Sequence, residues 1–469
     1  MTRRDLLHGL SAAPLLAQSA QQPNIVFVLS DDHSVPYLGC YGDPHIKTPN
    51  LDRFASQGMR MDRAFTAAPQ CVPSRAAYLT GRSPVGARMG RFNSPLPPDV
   101  ATLPELLREK GYFTGVCRRN FHLDGPGNNL GPSMRKIMND NAMLTWDRRV
   151  DWLDRNSPRA QTKAKLEDFF GKVPEGKPFF LWVNFNDPHH VWDRTGAHDP
   201  AKVSVPGNIP DLPGVRDDLS RYYDEIGRMD EEFQWVLDEI EKRGKTQNTL
   251  VVFAGDNGMA FPRGKGSLHE RGLHVPMIVR WPGRIKPGTS SELVSGEDVT
   301  PTLLEAAGVP PLKQMTGKSF LGLLTGRPNY TPREAIFGAR LYHGSGPFTE
   351  DTKASTFDLS RCVRTKKWKL IYNCTPKMEY QPVDSARDPG WQDILKAHAG
   401  GKLKPDHERI YFGKRPVYEL YDLDSDPQEL TNLSGKPEWA GVEKDLRIKL
   451  AEKMVVDYDF LPLPVALNE

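Results

Sequence analysis

The sequence lacks a long apolar run, a strong excess of either charge and a repeat. No stretch approaches the roughly 20 apolar residues of a membrane span, so no membrane-spanning segment is expected. With 62 basic and 59 acidic residues the formal net charge is only +3. This balance argues against a dedicated nucleic-acid-binding protein, which usually carries a clear basic excess. The 40 glycines and 41 prolines are spread along the chain, which excludes collagen-like and low-complexity chains.

Cysteine is also scarce. The five cysteines match no zinc-site spacing, and an odd number leaves at least one without a disulfide partner if the protein is exported. Cys362 and Cys374 flank the apolar segment 368–372. The sequence leaves open whether these two bridge a hairpin or remain free buried thiols.

The first twenty residues are typical of an export signal. Arg3 and Arg4 precede an apolar stretch over 6–17, in an order that resembles a twin-arginine signal. We therefore expect residues 1–20 to direct export from a bacterial cell, to the periplasm or the extracellular space. The alternative is a frayed amphipathic terminus.

Short apolar runs indicate buried strands. A continuous run of this length is typical of a parallel strand whose two faces are both covered. The runs cover 24–30, 179–185, 250–255 and 276–281. Helical periodicity lies between them, most clearly over 222–242 and 103–110. We predict an α/β fold, with a large mixed, mostly parallel sheet flanked by helices.

The pattern changes after about residue 330. Segments 361–372 and 417–423 resemble short strands rich in aromatic residues, which predicts a small antiparallel sheet. The Lys-, Pro- and Gly-rich segment 376–416 is interpreted as a surface loop that rims a cleft. We predict a large α/β domain over 21–330 and an α+β subdomain over 331–469.

Polar side chains follow two of the predicted strands. Asp31 and Asp32 come directly after the first, and Asp256 and Asn257 follow the run over 250–255. Ligands of open α/β sheets bind at the carboxyl ends of the strands. Three carboxylates and an amide oxygen there suit Ca²⁺ or Mg²⁺. Either pair alone is more often a turn or a helix cap, but the two together favour a metal site.

The segment from Cys71 to Arg82 is the most specific feature. Pro73 near the start and Gly81 after the end frame one short helix. Cys71 then lies at the helix N-terminus, where backbone N–H groups and the helix dipole favour an anion. From its position alone Cys71 is either a reactive cysteine or a buried structural one.

This segment carries a resemblance to a known family. It matches the pattern C-x-P-S-R followed by L-T-G-R, and the chain resembles the type I, formylglycine-dependent sulfatases of the alkaline-phosphatase superfamily. The resemblance covers most of the chain after the signal. The matching residues and segments are Cys71, Pro73, Ser74, Arg75, Leu79, Thr80, Gly81, Arg82, 24–32, 48–52, 256–258, 265–283 and 418–429. Short motifs at 187–189, 227–230 and 256–262 are most similar to the N-sulfoglucosamine sulfohydrolase branch.

The resemblance implies the fold, the chemistry and the cofactors. It implies an alkaline-phosphatase-like fold, with 21–330 as the catalytic domain, and hydrolysis of sulfate esters or sulfamates on sulfated carbohydrates. A maturation enzyme would oxidise Cys71 to formylglycine (3-oxoalanine). One hydroxyl of its hydrate would attack sulfur and expel the alcohol or amine, and the other would then drive elimination of inorganic sulfate and restore the aldehyde. Ca²⁺, or alternatively Mg²⁺, would be bound by Asp31, Asp32, Asp256, Asn257 and Cys71.

The resemblance also assigns roles around the sulfate group. Arg75 is expected to hold the hydrate and Lys265 to bind sulfate. His189 is expected to contact sulfate and to protonate the leaving group, and its neighbour His190 would share or take that role.

One position departs from the family motif. His122 matches a catalytic histidine, but Asn120 stands where the motif has lysine. Either Arg118 or Arg119 supplies the missing charge, or Asn120 forms an uncharged hydrogen bond to the substrate.

A second group of residues lies near the predicted domain junction. Arg340 and His343, together with Tyr342, either line a glycan subsite or simply pack at that junction.

Two other functions are consistent with these residues. The first is a phosphodiester or phosphonate ester hydrolase of the same superfamily, some of whose members also use formylglycine. The second is a sulfated-glycan-binding protein without catalysis. Lys265 with His189 favours sulfate over phosphorus esters, and Cys71 with the complete ligand set argues against the binding protein.

Overall fold

The structure is a computed structural model that describes residues 22–465 except 91, 93, 120, 124–131, 142, 144, 194 and 344–357. The predicted export signal over 1–20 and Asn120 therefore lie outside the described residues. Within the described ranges, no helix is both long enough and apolar enough to cross a membrane.

The secondary structure alternates between strands and helices over most of the chain. The strands are β1 (Asn24–Ser30), β2 (Met59–Met61), β3 (Ala64–Phe65), β4 (Phe113–Arg118), β5 (Trp152–Leu153), β6 (Phe179–Asn184), β7 (Thr249–Gly255), β8 (Met277–Arg280), β9 (Gly288–Ser290), β10 (Val294–Ser295), β11 (Ala335–Arg340), β12 (Ser360–Thr365), β13 (Trp368–Asn373) and β14 (Tyr418–Asp422). The helices are α1 (Pro49–Ser56), α2 (Cys71–Thr80), α3 (Leu103–Glu109), α4 (Pro132–Asp140), α5 (Thr162–Lys172), α6 (Pro213–Lys242), α7 (Glu270–Leu273), α8 (Val299–Ala306), α9 (Leu321–Thr325), α10 (Pro389–Ala399), α11 (Pro405–Phe412) and α12 (Ala440–Val456).

The main sheet has eight strands in the order β5-β4-β6-β1-β7-β8-β2-β9. The strands from β5 to β7 in this order run parallel to one another, which confirms the predicted mixed, mostly parallel sheet. The prediction of a parallel strand over 276–281 is wrong, because β8 runs antiparallel to both β7 and β2. Its side chains are buried like those of a parallel strand. The segment between β7 and β8, however, reverses the direction of the chain. It does not cross back over the sheet through a long helix, as a parallel connection would.

Strand β1 lies in the middle of this sheet and is completely buried. Because successive side chains of a strand point to opposite faces, Val26 and Val28 pack into one hydrophobic layer, and Ile25 and Phe27 into the other. Helices α1, α5 and α6 supply the first layer, and α2, α3 and α8 supply the second. The carboxyl ends of β6, β1 and β7 therefore meet at the centre of one edge.

The second sheet contains β11, β12, β13 and β14 in chain order, and all its neighbouring pairs are antiparallel. This confirms the predicted small antiparallel sheet. Helix α12 covers one face, and Leu268 and Leu273 from the first part of the chain pack on the other. Cys362 and Cys374 are both free thiols, so the hairpin is not bridged.

The segment 376–416 is not the surface loop that its composition predicts, since it contains α10 and α11. Helix α10 packs against α6 at two glycines. The N–H of Gly390 donates to Asp218 over 2.8 Å, and that of Gly214 donates to Asp393 over 2.9 Å. A Cβ at Gly214 would lie only 2.5 Å from the carbonyl oxygen of Pro389. This close packing holds the preceding segment, 376–388, near the edge of the main sheet.

Candidate active site at the carboxyl edge of the main sheet

Helix α2 places Cys71 at this edge. The helix begins at Cys71 and ends at Thr80, and Gly81, whose φ of 64° is left-handed, caps it, so the framing predicted from Pro73 and Gly81 is confirmed. The Sγ of Cys71 lies 3.4 Å from Oδ1 of Asp31 and 3.8 Å from Oδ1 of Asp32. Burial and the carboxylate of Asp31 raise the pKa of the Cys71 thiol well above its ordinary value. The helix N-terminus would favour a thiolate, but burial and the neighbouring carboxylates outweigh it, so the thiol is protonated.

Arg75, one turn further along α2, joins carboxylates from two strands. Its Nη2 lies 2.9 Å from Oδ2 of Asp31, and its Nε lies 2.9 Å from Oδ2 of Asp256. A third contact, of 2.7 Å, runs from Nη1 to Oδ1 of Asn184 at the end of β6. Burial would raise the pKa of Asp31, but Arg119 and Arg75 hold it well below its ordinary value. Asp31 is therefore ionised although its side chain is completely buried.

The other two carboxylates behave differently from Asp31. Burial, with the charges of Asp31 and Asp256, raises the pKa of Asp32 to about 7, against the opposing effect of Lys265. Burial and Asp31 likewise raise the pKa of Asp256 to about 6. These carboxylates repel one another, so a cation between them would favour their ionised forms.

Asn257 supplies an oxygen atom to the same cluster. Its Nδ2 donates to Oδ1 of Asp32 over 2.8 Å. Its Oδ1 is buried and has no hydrogen-bond partner among the described residues. A buried carbonyl oxygen without a partner is costly unless it binds something else. The residues thus fit a hard divalent cation such as Ca²⁺ or Mg²⁺.

Cys71 and His189 lie at the border of this oxygen cluster. Asp31, Asp32, Cys71 and His189 each present one ligand atom, and these atoms all lie within 4.8 Å of one another. Asp256 and Asn257 join the group through hydrogen bonds with Asp32, so the predicted metal ligands lie together, with His189 beside them.

Lys265 lies in the loop between β7 and α7, and its ammonium group is buried. Its Nζ contacts Oδ1 of Asp32 at 2.8 Å, Nε2 of His189 at 3.3 Å and Oδ2 of Asp384 at 2.7 Å. Burial would lower its pKa, but Asp32 and Asp384 raise the pKa of Lys265 well above its ordinary value. Burial and Lys265 hold the pKa of His189 well below its ordinary value. The site thus contains a permanent cation beside a neutral imidazole.

His122 and Arg119 approach the cluster from the end of β4. The Nε of Arg119 lies 2.6 Å from Oδ2 of Asp31, whereas Arg118 turns away to pair with Glu232 at 3.1 Å. Of the two substitutes for the missing lysine, only Arg119 places its charge here. Burial and Arg119 hold the pKa of His122 well below its ordinary value.

The predicted substrate-binding residues fall into two places. The Nε2 of His190 lies 2.8 Å from Oδ2 of Asp388, and that of His343 lies 3.5 Å from Oδ1 of Asp384. Both histidines therefore lie at the rim of the cluster. Arg340 instead pairs with Asp358 at 2.8 Å and lines a cavity of about 750 Å³ between the loop 263–269 and α11.

Sequence reasoning missed Asp384 and Asp388 completely. Both lie in the segment interpreted as a surface loop. One local signal was present: Asp388 followed by Pro389 is a typical helix start, and α10 begins there. That signal would have found the helix, but it could not have placed Asp384 against Lys265.

Comparison with known proteins decides the family. Residues 23–309 match the family model described as Sulfatase. This chain belongs to the sulfatase family. It is therefore a sulfuric ester hydrolase. Residues 263–404 also match the model described as N-sulphoglucosamine sulphohydrolase, C-terminal, so this sulfatase lies near the predicted branch.

Full-length relatives agree with this assignment. The sulfatase is 30% identical to the human N-sulphoglucosamine sulphohydrolase, covering 92% of this chain and 90% of that protein. It is 28% identical to an ulvan-active sulfatase of Formosa agariphila, covering 95% and 76% of the two chains. A solved structure described as a complex with its substrate D-glucosamine-2-N,6-O-disulfate has a TM-score of 0.67 at 19% identity, covering 94% and 99% of the two chains. This likeness confirms the fold.

Proposed function

We propose that this sulfatase removes sulfate from a sulfated carbohydrate, through a formylglycine made from Cys71 and a divalent cation bound by Asp31, Asp32, Asp256 and Asn257. The observation that carries the proposal is the protonated, buried thiol of Cys71 among carboxylates. Such a thiol is a poor nucleophile, whereas the hydrate of an aldehyde at this position brings hydroxyl groups to the same point. The N-sulphoglucosamine named for the human relative supports a sulfated sugar as substrate.

The cation, when bound, would offset negative charge on a sulfate oxygen and favour ionisation of the carboxylates around it. The hydrate of a formylglycine at position 71 would supply one hydroxyl for attack on sulfur, with loss of the sugar's alcohol or amine, and a second for release of sulfate that restores the aldehyde. Arg75 holds Asp31 and Asp256 in place and compensates their charge. This pre-organises the oxygen ligands without help from solvent.

Lys265 and His189 act on the substrate side of the cluster. Lys265 keeps its charge, because Asp32 and Asp384 raise its pKa, and so offers N–H donors to sulfate oxygens. His189 is neutral in the free protein. An anionic sulfate group beside it would raise its pKa, which prepares His189 to protonate the departing oxygen or nitrogen atom. His122 and Arg119 lie near Asp31 and add further N–H donors to the site.

The experiment is release of free sulfate from N-sulfated and O-sulfated sugars by protein matured with a formylglycine-generating enzyme. Mass spectrometry first establishes conversion of Cys71. We expect release from one class of linkage and none from a Cys71→Ala variant. If the converted protein releases no sulfate from any of these sugars but cleaves a phosphate or phosphonate ester, this proposal is wrong. The protein is then a phosphodiester or phosphonate ester hydrolase. Unconverted Cys71 in native protein that still binds sulfated glycans would indicate a binding protein.

We also propose the export signal at residues 1–20 and a division between a catalytic domain, 21–330, and a C-terminal subdomain, 331–469. The order of basic residues and apolar stretch supports the first, and the separate antiparallel sheet supports the second. Fractionation of bacteria that express the full chain, with an Arg3→Lys, Arg4→Lys variant as control, tests export.

A further inference from the structure

Asp384 is an unexpected residue in a site that binds an anion. Its Oδ2 lies 2.7 Å from Nζ of Lys265, and that side chain is only 2% exposed. Asp32 and His189 are the other groups within 3.3 Å of this Nζ. Asp384 is 25% exposed whereas the side chain of Asp32 is fully buried, so Asp384 is the carboxylate partner of Lys265 that solvent can reach. A substrate that reaches Lys265 therefore meets the carboxylate of Asp384.

The rim around Asp384 is made of carboxylates and imidazoles. The Nε2 of His343 lies 3.5 Å from its Oδ1, and Asp388 pairs with His190 at 2.8 Å. The packing of α10 on α6 through Gly390 fixes the segment that carries both aspartates. Lys265 and His343 contact the Asp384 carboxylate from two sides, so its position in the site is fixed.

A carboxylate fixed at this rim discriminates between neutral and anionic substituents of the substrate that stand next to the reacting sulfate. It accepts hydrogen bonds from hydroxyl and N–H groups. It repels a second sulfate strongly, because like charges a few ångströms apart in a poorly solvated cleft are only weakly screened.

We propose that Asp384 determines substrate specificity: it accepts a hydrogen bond from a hydroxyl or N–H group next to the cleaved sulfate and rejects sugars that carry a second sulfate there. The inference rests on the proposed function and names the substrate as a sugar ring with a single sulfate at the site. Asp384 acts by selecting the ring, and Lys265 and His189 act on sulfate itself.

The test compares kcat/KM for glucosamine N-sulfate, glucosamine 3-sulfate and glucosamine N,3-disulfate, whose two sulfate groups stand on neighbouring ring carbons. Wild-type protein should prefer the better monosulfated sugar over the disulfated one by about tenfold or more. In Asp384→Asn, which keeps the shape and removes the charge, this ratio should fall towards one. Asp384→Glu should retain it. Asp424→Asn, an exposed turn carboxylate, is the matched control and should leave the ratio unchanged.

A binding measurement separates this inference from the proposed function. Calorimetry with the same three sugars is carried out on the Cys71→Ala protein, which should bind them with the same preference. The double variant Cys71→Ala, Asp384→Asn should lose that preference. If the converted wild-type enzyme releases no sulfate but this binding preference appears, the proposed function fails and the inference on Asp384 stands. A ratio that Asp384→Asn leaves unchanged, or a wild-type preference for the disulfated sugar, would overturn the inference. Thermal unfolding of each variant confirms that it is folded.

Discussion

The Nε of Arg75 and the Oδ2 of Asp256 lie 2.9 Å apart, and neither side chain is exposed to solvent. The same guanidinium group reaches Asp31, so one residue of α2 holds the ends of β1 and β7 together. Charge pairs in such a place contribute little when intact but cost much when one partner is removed.

The Arg75→Ala variant should therefore be less stable than the wild-type protein. Removing the guanidinium leaves Asp256 buried without its guanidinium partner and Asp31 with Arg119 alone, and we expect a loss of about 3–5 kcal/mol in the free energy of unfolding. Denaturant titration measures it. Arg88→Ala is the control, because Arg88 forms an exposed pair with Asp99, and exposed pairs contribute about 0–1 kcal/mol. Equal losses for the two variants would contradict this account of the site.

Cys71→Ala should abolish turnover and leave the fold intact. Removal of a catalytic nucleophile lowers kcat by about 10³-fold or more, while Cys71→Ala deletes a single buried sulfur atom. Sulfate release and thermal unfolding are the two measurements. Cys374→Ser is the matched control, since Cys374 is also a free thiol but lies beyond the end of β13. Full activity of Cys71→Ala would refute the proposed mechanism.

Binding of the cation should strengthen as the pH rises. The pKa of Asp32 is raised to about 7 and that of Asp256 to about 6, so without an ion both hold protons in acid and the cation must displace them. Raised pKa values also mean that the ion-free protein loses stability as the pH rises through this range. A chelator should therefore lower Tm more at pH 8 than at pH 5.5.

The size of that effect follows from mass action. Calcium at a hundred times its Kd stabilises the protein by about 2.7 kcal/mol. Calorimetry in two buffers of different ionisation enthalpy measures proton release directly. Asp256→Asn should release fewer protons and bind the ion more weakly. A calcium affinity that is the same at both pH values would show that the carboxylates do not form the site.

Gly258→Ala should disturb the candidate metal site through a steric clash at the residue next to Asn257. A Cβ at Gly258 would lie 1.8 Å from the carbonyl oxygen of Arg271, and Gly258 directly follows Asn257. We expect a loss of about 1–3 kcal/mol from overpacking, together with weaker metal binding. Gly171→Ala is the control, since nothing lies within 4 Å of its added Cβ. In helix α5 this change should stabilise the protein by about 0.5–1 kcal/mol.

Local signals in the sequence predicted much of the site. Apolar runs located β1, β6 and β7, and the polar residues directly after them are the ones that meet at the sheet edge. Pro73 and Gly81 framed α2 correctly because helix starts and stops depend on neighbouring residues. These features depend mainly on neighbouring residues and little on contacts with distant parts of the chain.

The features that could not be predicted depend on distant contacts. The apolar side chains of β8 do not reveal its direction, since both faces of a central strand are buried in either orientation. Asp384 stands among residues typical of a loop, and only the packing of α10 on α6 brings it to Lys265. The burial of Arg118 against Glu232 was equally hidden, since its neighbour Arg119 has the same chemistry.

The burial of Cys71 has a consequence for the order of events in the cell. In the folded protein this residue is 1% exposed, and every residue of α2 around it is buried. An enzyme that modifies the side chain must bind the surrounding segment as an open chain, which the finished fold does not allow. The proposed conversion of Cys71 would therefore have to come before α2 docks on the sheet, and a chain that folds first would be trapped with its thiol.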